Sequence, residues 1–428
     1  MKTLRFAIAA ATVLGTIPAF ATNARVESMG KSSTFIMDDI SIFDNPANIN
    51  LYPNFLIGEL GIMDSNSVAG KNREPLAPWF GGIFSLDIGG GNSLSIAGVL
   101  NRKEERLLKY FPNMIQIEEG TAGRRINTPE PVTNIDGFLG ANFNNKAIGL
   151  HVYLAHQDGV TGSKDTLTTA AFVSALQLDG GINFELSSNY SIEVSGGVAR
   201  IQYGPSDRDL IDGDLMSGFA SARLFSKVQA INGHLIPVAS FRNVSAPSRE
   251  ETDISGGLGV DAAFDRGFFW LGLTGFYNIQ RADSNWTQEK GFTLYKDLGD
   301  NSGLSGPLTR LWQLGGTISF GIERNIWWDW FVLRVGGQKT IAYADYKGSE
   351  NEKNILCPAS SGCSESGNYF ITNPVNDGTR NDNVGFGFGI NIEEKLKIDA
   401  TVAEDFVFRN PFQGGSRLIS RVSATYSF

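Results

Sequence analysis

The residue types able to do chemistry are thinly spread in this 428-residue chain: three histidines, two cysteines and a few adjacent acid pairs. A histidine works as base or nucleophile partner only with a serine or carboxylate within hydrogen-bond reach. In an extended chain His151 lies on the face opposite Ile148, Leu150 and Val152, and His156, five residues on, falls on the other face. His234 shares a face with Asn232, Ser240 and Arg242. None of the three has a serine or carboxylate at a spacing that builds a catalytic pair, so they read as polar-face or loop residues. Asp38-Asp39 and Glu104-Glu105 read as solvated pairs rather than acid–base dyads. Gly89-Gly90-Gly91-Asn92 reads as a turn, because no G-x-x-x-x-G-K-[ST] pattern follows it. Cys357 and Cys363, in Cys-Pro-Ala-Ser-Ser-Gly-Cys, read as a local disulfide stapling a polar loop. With no histidine near them in sequence they do not complete a tetrahedral zinc site. The expectation is a protein without catalysis, metal or cofactor.

The elements that must carry these residues are legible from the last stretch. From Leu418 to Phe428 one face carries Leu418, Val422, Ala424, Tyr426 and Phe428, and the other Arg421, Ser423, Thr425 and Ser427. That alternation is a strand with one apolar face. A chain ending on such a strand, with Tyr426 and Phe428 near its terminus, suits a cylinder whose last strand must pair with its first to leave no open edge in lipid. The aromatic end resembles the sorting signal of bacterial outer-membrane barrels, which implies recognition by the barrel-assembly machinery.

At the other end, Lys2 and Arg5 precede an apolar run from Phe6 to Ile17, and Ala19-Phe20-Ala21 fits a cleavage site, so residues 1–21 read as a secretory signal. Taking Lys2 and Arg5 away from the 36 basic residues leaves 34 against 45 acidic ones, a net charge of −11 that argues against nucleic acid as a partner. Beyond the signal no stretch has the ~18 consecutive apolar residues that a membrane helix needs. A membrane location therefore requires a barrel, and 50 Gly with 29 Phe, 11 Tyr and 7 Trp suit twisted strands and aromatic girdles.

From residue 54 onward apolar-alternating runs begin near 54, 78, 92, 134, 147, 169, 189, 214, 229, 252, 267, 308, 327, 383, 395 and 416. Short connections such as Gly89-Gly90-Gly91, Asn144-Asn145-Lys146 and Asp265-Arg266 alternate with long polar ones such as Lys103 to Thr133 and Ala344 to Asp382. All long loops then fall at one end, the layout of a bacterial outer-membrane barrel. Val384, Phe386, Phe388, Ile390 and Ile392 oppose Gly385, Gly387, Gly389 and Asn391, a lipid-facing and a lumen-facing set. The same parity places Glu59, Glu193, Asp261, Arg334, Lys397, Asp399 and Arg421 in the lumen, with Phe219, Phe225, Phe268, Trp270, Trp328 and Trp330. Trp327-Trp328-Asp329-Trp330, beside a short turn, also reads as part of an aromatic girdle.

Between signal and first strand, Arg25, the Met29-Gly30 pair, Asp38-Asp39 and Asn45-Pro46-Ala47 follow in that order. This resembles the N-terminal signature of FadL-like barrels, the long-chain fatty-acid transporters, and their PorV-like relatives. The resemblance covers about thirty residues and implies a segment packed inside the barrel mouth. From the residues alone, Ser33 to Ile40 could equally be a plain capped helix leading to strand one. The family has fourteen strands where the runs here number sixteen. The expected class is thus an all-β, transmembrane, antiparallel up-and-down barrel of 14 to 16 strands: signal 1–21, inner segment 22–53, barrel 54–428. Outer-membrane phospholipases and omptin-like proteases share the architecture, but their Ser-His and Asp-His arrangements are not matched here. The resemblance implies passage or binding of a hydrophobic small molecule such as a long-chain fatty acid, in the outer membrane and against its lipid. It equally implies, on the PorV side, a scaffold that holds secreted protein partners.

Overall fold

Alternating apolar and polar side chains satisfy both faces of the backbone only when it is extended, and the structure extends them in one cylinder. The computed structural model describes residues 22–30, 33–61, 78–108, 114–117, 124–127, 131, 133–160, 170–205, 213–246, 249–282, 308–348, 369–371, 383–393, 395–402 and 419–428. The first eight staves are β1 (Phe55–Gly61), β2 (Trp79–Gly89), β3 (Asn92–Leu100), β4 (Thr133–Phe143), β5 (Lys146–Val160), β6 (Ala170–Ser187), β7 (Tyr190–Pro205) and β8 (Gly213–Val228). The second eight are β9 (Gly233–Ala246), β10 (Arg249–Phe264), β11 (Gly267–Ala282), β12 (Leu308–Asn325), β13 (Phe331–Gly348), β14 (Asn383–Ile392), β15 (Leu396–Val402) and β16 (Ile419–Ser427). Each pairs antiparallel with its neighbours in sequence order, and β1 closes on β16 from Phe55↔Ser427 to Gly61↔Arg421. Phe428 N donates to Asn54 O at 3.1 Å, continuing the seam past the last paired residues. The strand number is sixteen among the described residues, two more than the family resemblance implies. Tyr369–Ile371 adds a short strand on the outer end of β13, and Met114–Ile117 pairs with Arg124–Asn127 in a separate hairpin.

The expected starts lie within four residues of the observed ones. The two largest departures have local causes. Gln229–Ile231 forms a 3₁₀ turn ending at Asn232 with φ 48°, and Trp327 takes φ 61° in the 326–330 turn, so β9 and β13 begin four residues later. The short turns use the residues that tolerate positive φ, among them Asn144 at 56° and Gly89, Gly90 and Gly91 at 86°, 67° and 80°.

The outer surface of the described staves carries a broad apolar belt. Leu60, Phe80, Ile96, Leu139, Leu150, Val198, Leu273, Leu314 and Ile341 all stand exposed on it. Such a belt far exceeds the apolar patches of a soluble monomer and matches the lipid face of a transmembrane barrel. No helix among the described residues is long and apolar enough to cross a membrane. Tyr426 and Phe428 are exposed on the belt while Arg421, Ser423 and Thr425 are buried inside, as the alternation requires. Trp328 and Trp330 do not face the lumen: with Trp327 they are exposed in the turn, where the backbone has left strand parity, and Trp328 stacks on Trp330 at 5.1 Å.

Part of the chain folds into the lumen. Residues 22–30 and 33–50 run inside the cylinder, forming helix α1 (Asn23–Ser28) and two 3₁₀ turns, Asp39–Phe43 and Pro46–Leu51. The capped helix from Ser33 to Ile40 is not formed: Asp38 caps the later turn by accepting from Ile40 N at 3.2 Å. One apolar cluster joins Val26, Ile40, Ile42, Phe43 and Ile49 of this segment to Phe55, Ile57, Trp79, Ile83, Val99 and Phe138 of the wall. A second joins Met29, Phe35 and Ile36 to Phe225, Ile236 and Trp270. The close fit needs glycine. Gly30, at φ 94°, meets the backbone of Gly337, where a side chain on Gly30 would collide, and a Cβ on Gly336 would run into the Met29 backbone. Gly336→Val should therefore leave a barrel that folds and stays heat-modifiable on cold SDS gels but seats its N-terminal segment worse by about 1–3 kcal/mol. Higher single-channel conductance than the parent is the expected readout, and an unchanged conductance would count against this packing.

Candidate functional site: the seated N-terminal segment

The segment is held at four places, three of them by the barrel wall and one by residues that turn in from the long-loop end. At α1, Thr22 caps the helix by accepting from Arg25 N at 3.4 Å, which fixes the direction in which Arg25 leaves it. Arg25 then donates through Nε at 2.8 Å and Nη2 at 2.7 Å to the two oxygens of Glu323 on β12. Glu323 stands directly opposite Arg334 on β13 and accepts from its Nε at 2.9 Å. Arg334 Nη1 reaches Asp399 on β15 at 2.6 Å, and Thr22 Oγ1 returns to the other Asp399 oxygen at 3.1 Å. The result is a closed ring of charge that ties one helix to three staves. Bidentate Arg–carboxylate pairs are strong and directional, and in this one Arg25 is buried and Glu323 largely so. Thr401 Oγ1 adds a bond to Ala24 O at 2.8 Å.

Further along, Arg223 of β8 gives Nη1 to the carbonyls of Ser33, Thr34 and Ile36 at 3.3–3.4 Å, while Glu193 of β7 accepts from its Nε at 2.8 Å. Ser195 Oγ donates to Asp44 O at 2.8 Å. At the third place Asn45 caps the turn that Pro46 opens, accepting from Ala47 N at 3.0 Å, and its Nδ2 donates to Asn183 Oδ1 at 2.6 Å. Asn183 donates in turn to Asn48 Oδ1.

The fourth contact comes from the long-loop end. After β3 the chain turns inward, and residues 102–108, including helix α2 (Glu105–Leu108), descend onto the segment. Arg106 Nη2 donates to Phe43 O at 2.8 Å, and the Arg102 guanidinium lies 3.8 Å above the Phe43 ring. Arg102 also donates to Asp136 and Glu104 at 2.6 and 2.9 Å. Behind it His151 bridges two carboxylates, Asp136 through Nε2 and Asp179 through Nδ1, each at 2.8 Å. Its ring stacks on Phe138 at 4.2 Å.

Two sequence expectations are corrected here. Glu104 is not a solvated acid: burial pushes its carboxyl up, but Arg106 and Arg102 override that and hold it well below the ordinary value. Asp38 and Asp39 are likewise fully buried. Burial pushes Asp38 up to about 7 against the pull of Arg25, and burial followed by Asp38 and Asp399 holds Asp39 well above the ordinary range. The adjacent acids read as solvated because their burial is decided by the wall that closes around them and not by the pairs themselves.

Of the residues singled out in sequence, Arg25, Met29, Gly30, Asp38, Asp39, Asn45, Pro46 and Ala47 are all brought into the lumen, spread along the segment rather than gathered at one point. Glu59, Glu193, Arg334, Lys397, Asp399 and Arg421 line the wall as their parity requires. His156 is exposed near Asp158, and His234 pairs with Asp261 at 3.0 Å on the adjacent strand. Cys357 and Cys363, and residues 1–21, lie outside the described residues. What sequence spacing missed is the set Arg102, Asp136, His151 and Asp179. The bonded pairs among them are 15 to 34 residues apart in sequence, and register unites the three strand members: His151 lies directly opposite Asp179 and Phe138. The available signal was their shared inward parity.

No protein family matches the chain, and no curated protein does. Among solved structures it is similar to a FadL homologue of Pseudomonas aeruginosa, at 13% identity over 95% of this chain and 98% of that one, with a TM-score of 0.37. It is also similar to CdiB from Escherichia coli, at 10% identity over 87% of this chain with a TM-score of 0.40, and spans 63% of that chain. BamA from Haemophilus ducreyi lacking POTRA domains 1-3 aligns at 9% identity over 87% of this chain and 70% of its own, with a TM-score of 0.36. These likenesses are loose, and the barrel rests on this chain's own closed register.

Glu323 is the hub of the ring: its loss takes the bonded carboxylate from both Arg25 and Arg334, leaving Arg334 only Asp399 and Arg25 only the 3.8 Å approach of Asp38. Glu323→Ala should cost roughly 3–5 kcal/mol of barrel stability and Arg25→Ala clearly less, because Arg334 still pairs with Glu323. Urea unfolding in lipid vesicles checks the order, and equal costs would mean the ring is not coupled.

Proposed function

We propose that this protein is a bacterial outer-membrane barrel that binds or passes hydrophobic small molecules, of the class of long-chain fatty acids, and that its N-terminal segment is the plug that must shift for passage. The observation that carries this reading is the character of the lumen wall. Water-filled barrels have polar interiors. Here Phe55, Ile57, Trp79, Ile83, Val99 and Phe138 point inward and pack against Val26, Ile40, Ile42, Phe43 and Ile49 of the segment. A lumen so lined offers an acyl chain the burial that the segment now takes, at about 25 cal/mol for each Å² of apolar surface.

The order of Arg25, Met29-Gly30, Asp38-Asp39 and Asn45-Pro46-Ala47 supports the same reading through its resemblance to fatty-acid transporters. In this role the protein needs no catalytic residue. Its further partners would be outer-membrane lipid along the belt and the barrel-assembly machinery at the strand ending in Tyr426 and Phe428. The scaffold alternative depends on the loop around Cys357 and Cys363, outside the described residues.

The test is binding of a long-chain fatty acid by the purified barrel, followed through tryptophan fluorescence, together with growth of cells on that acid. Ile83→Glu, which places a charge in the apolar wall patch, should weaken binding at least tenfold, and deletion of Met29 to Asn48 should alter growth. Absence of binding by the parent, with growth indifferent to the deletion, would remove this reading.

A further inference from the structure

Asp38 and Asp39 are enclosed without being satisfied. Asp38 uses Oδ1 to cap the 3₁₀ turn, but its Oδ2 makes no hydrogen bond and lies 3.8 Å from Arg25 Nη1. Both oxygens of Asp39 lack any hydrogen-bond partner, and the residue has no exposed surface. Arg25, the cation between them and the wall, is already committed through Nε and Nη2 to Glu323.

The charges that face the pair come from every element around it. Asp39 is faced by Arg25 of α1 and by Lys397 and Asp399 of β15. Asp38 is faced by Arg25, by Asp44 of its own segment and by Arg223 of β8, which is itself matched by Glu193 of β7. The Tyr52 phenol lies near both. Around the ring the cations are Arg25, Arg334 and Lys397, and the carboxyls are Glu323, Asp399, Asp38 and Asp39. The carboxyls outnumber the cations by one. A buried carboxylate with neither a cation of its own nor a hydrogen bond neutralises or moves to water.

We propose that the Asp38–Asp39 pair is a protonation latch: the seated N-terminal segment holds one extra proton on this pair, and losing that proton loosens the segment from the lumen wall. The direction follows from linkage. Released into water the pair titrates near the ordinary 3.8, whereas seated Asp38 titrates at about 7. The seated state therefore binds the extra proton. Seating is fully favoured below the ordinary carboxylate range and weakens as the pH rises through about 7. Because the latch belongs to the segment and not to any ligand, it stands or falls apart from the identity of the transported molecule.

The experiment is single-channel recording of the full-length barrel in planar phosphatidylcholine bilayers, with no ligand, across roughly pH 5 to 8. The ratio of open to closed time should rise about tenfold per pH unit from about pH 5 to 7 and level off above, the slope of one proton. Asp39→Asn and Asp38→Asn each remove the surplus carboxyl, and Asn keeps the capping oxygen at position 38. Each should flatten the dependence and leave the barrel mostly closed at pH 8. Heat-modifiable migration on cold gels confirms folding, and if one variant does not fold the other carries the same test. A parent that does not respond to pH, or variants that retain its slope, would overturn the latch.

Discussion

Everything in this molecule depends on one constraint: a backbone lying in hydrocarbon must find all its hydrogen-bond partners within the protein. Sixteen strands meet it only because β1, seven residues long, pairs with β16 along its whole length. That seam removes the last free edge. It also fixes the parity of every stave, so that Leu60 and Leu273 meet lipid while Glu59 and Trp270 point inward. The interior that results is wide, and something has to occupy it.

What occupies it is the segment that precedes β1. The N-terminal segment has little regular structure of its own, a six-residue helix and two 3₁₀ turns, and elements that short do not stand alone in water. They hold shape because the wall supplies what a helix of that length cannot. Two apolar clusters bury Phe43, Ile49, Met29 and Phe35, and four polar clamps satisfy carbonyls and caps. The clamps differ in kind. The Arg25–Glu323–Arg334–Asp399 ring is stiff, charged and tied to three staves. The contacts of Arg223 go to main-chain carbonyls, and those of Asn45 and Asn48 run through the amide of Asn183. The arm carrying Arg102 and Arg106 rests on Phe43 from the long-loop side, so the segment is gripped from both ends of the lumen.

A plug secured this way is a compromise between sealing and release. Buried ion pairs gain little net stability over apolar packing, yet they are costly to leave half-made, which favours a single seated geometry over a range of loose ones. Asp39 stands out against that background as a charge the ring does not absorb. Its burial ties the seating of the segment to solution conditions in a way that the apolar clusters, indifferent to pH, do not.

The amino-acid sequence by itself determined the class, the parity and the rhythm of this protein. Period-two alternation is a local property, so each stave, most of the short turns and the lumen position of Arg334, Asp399 and Arg421 could be read one stretch at a time. The inner segment was legible as a marked stretch, through Arg25, Met29-Gly30 and Asn45-Pro46-Ala47. Only the tertiary structure decided the strand number, which sequence left between fourteen and sixteen. It also decided that Asp38, Asp39 and Glu104 are enclosed rather than solvated, and which partners meet. Arg25 finds Glu323 298 residues away, and His151 finds Asp136 and Asp179 only through the register of β4, β5 and β6. The reason is physical. Alternation depends on a residue and its near neighbours, whereas burial and pairing inside a closed cylinder depend on closure and register, which no short stretch of chain contains.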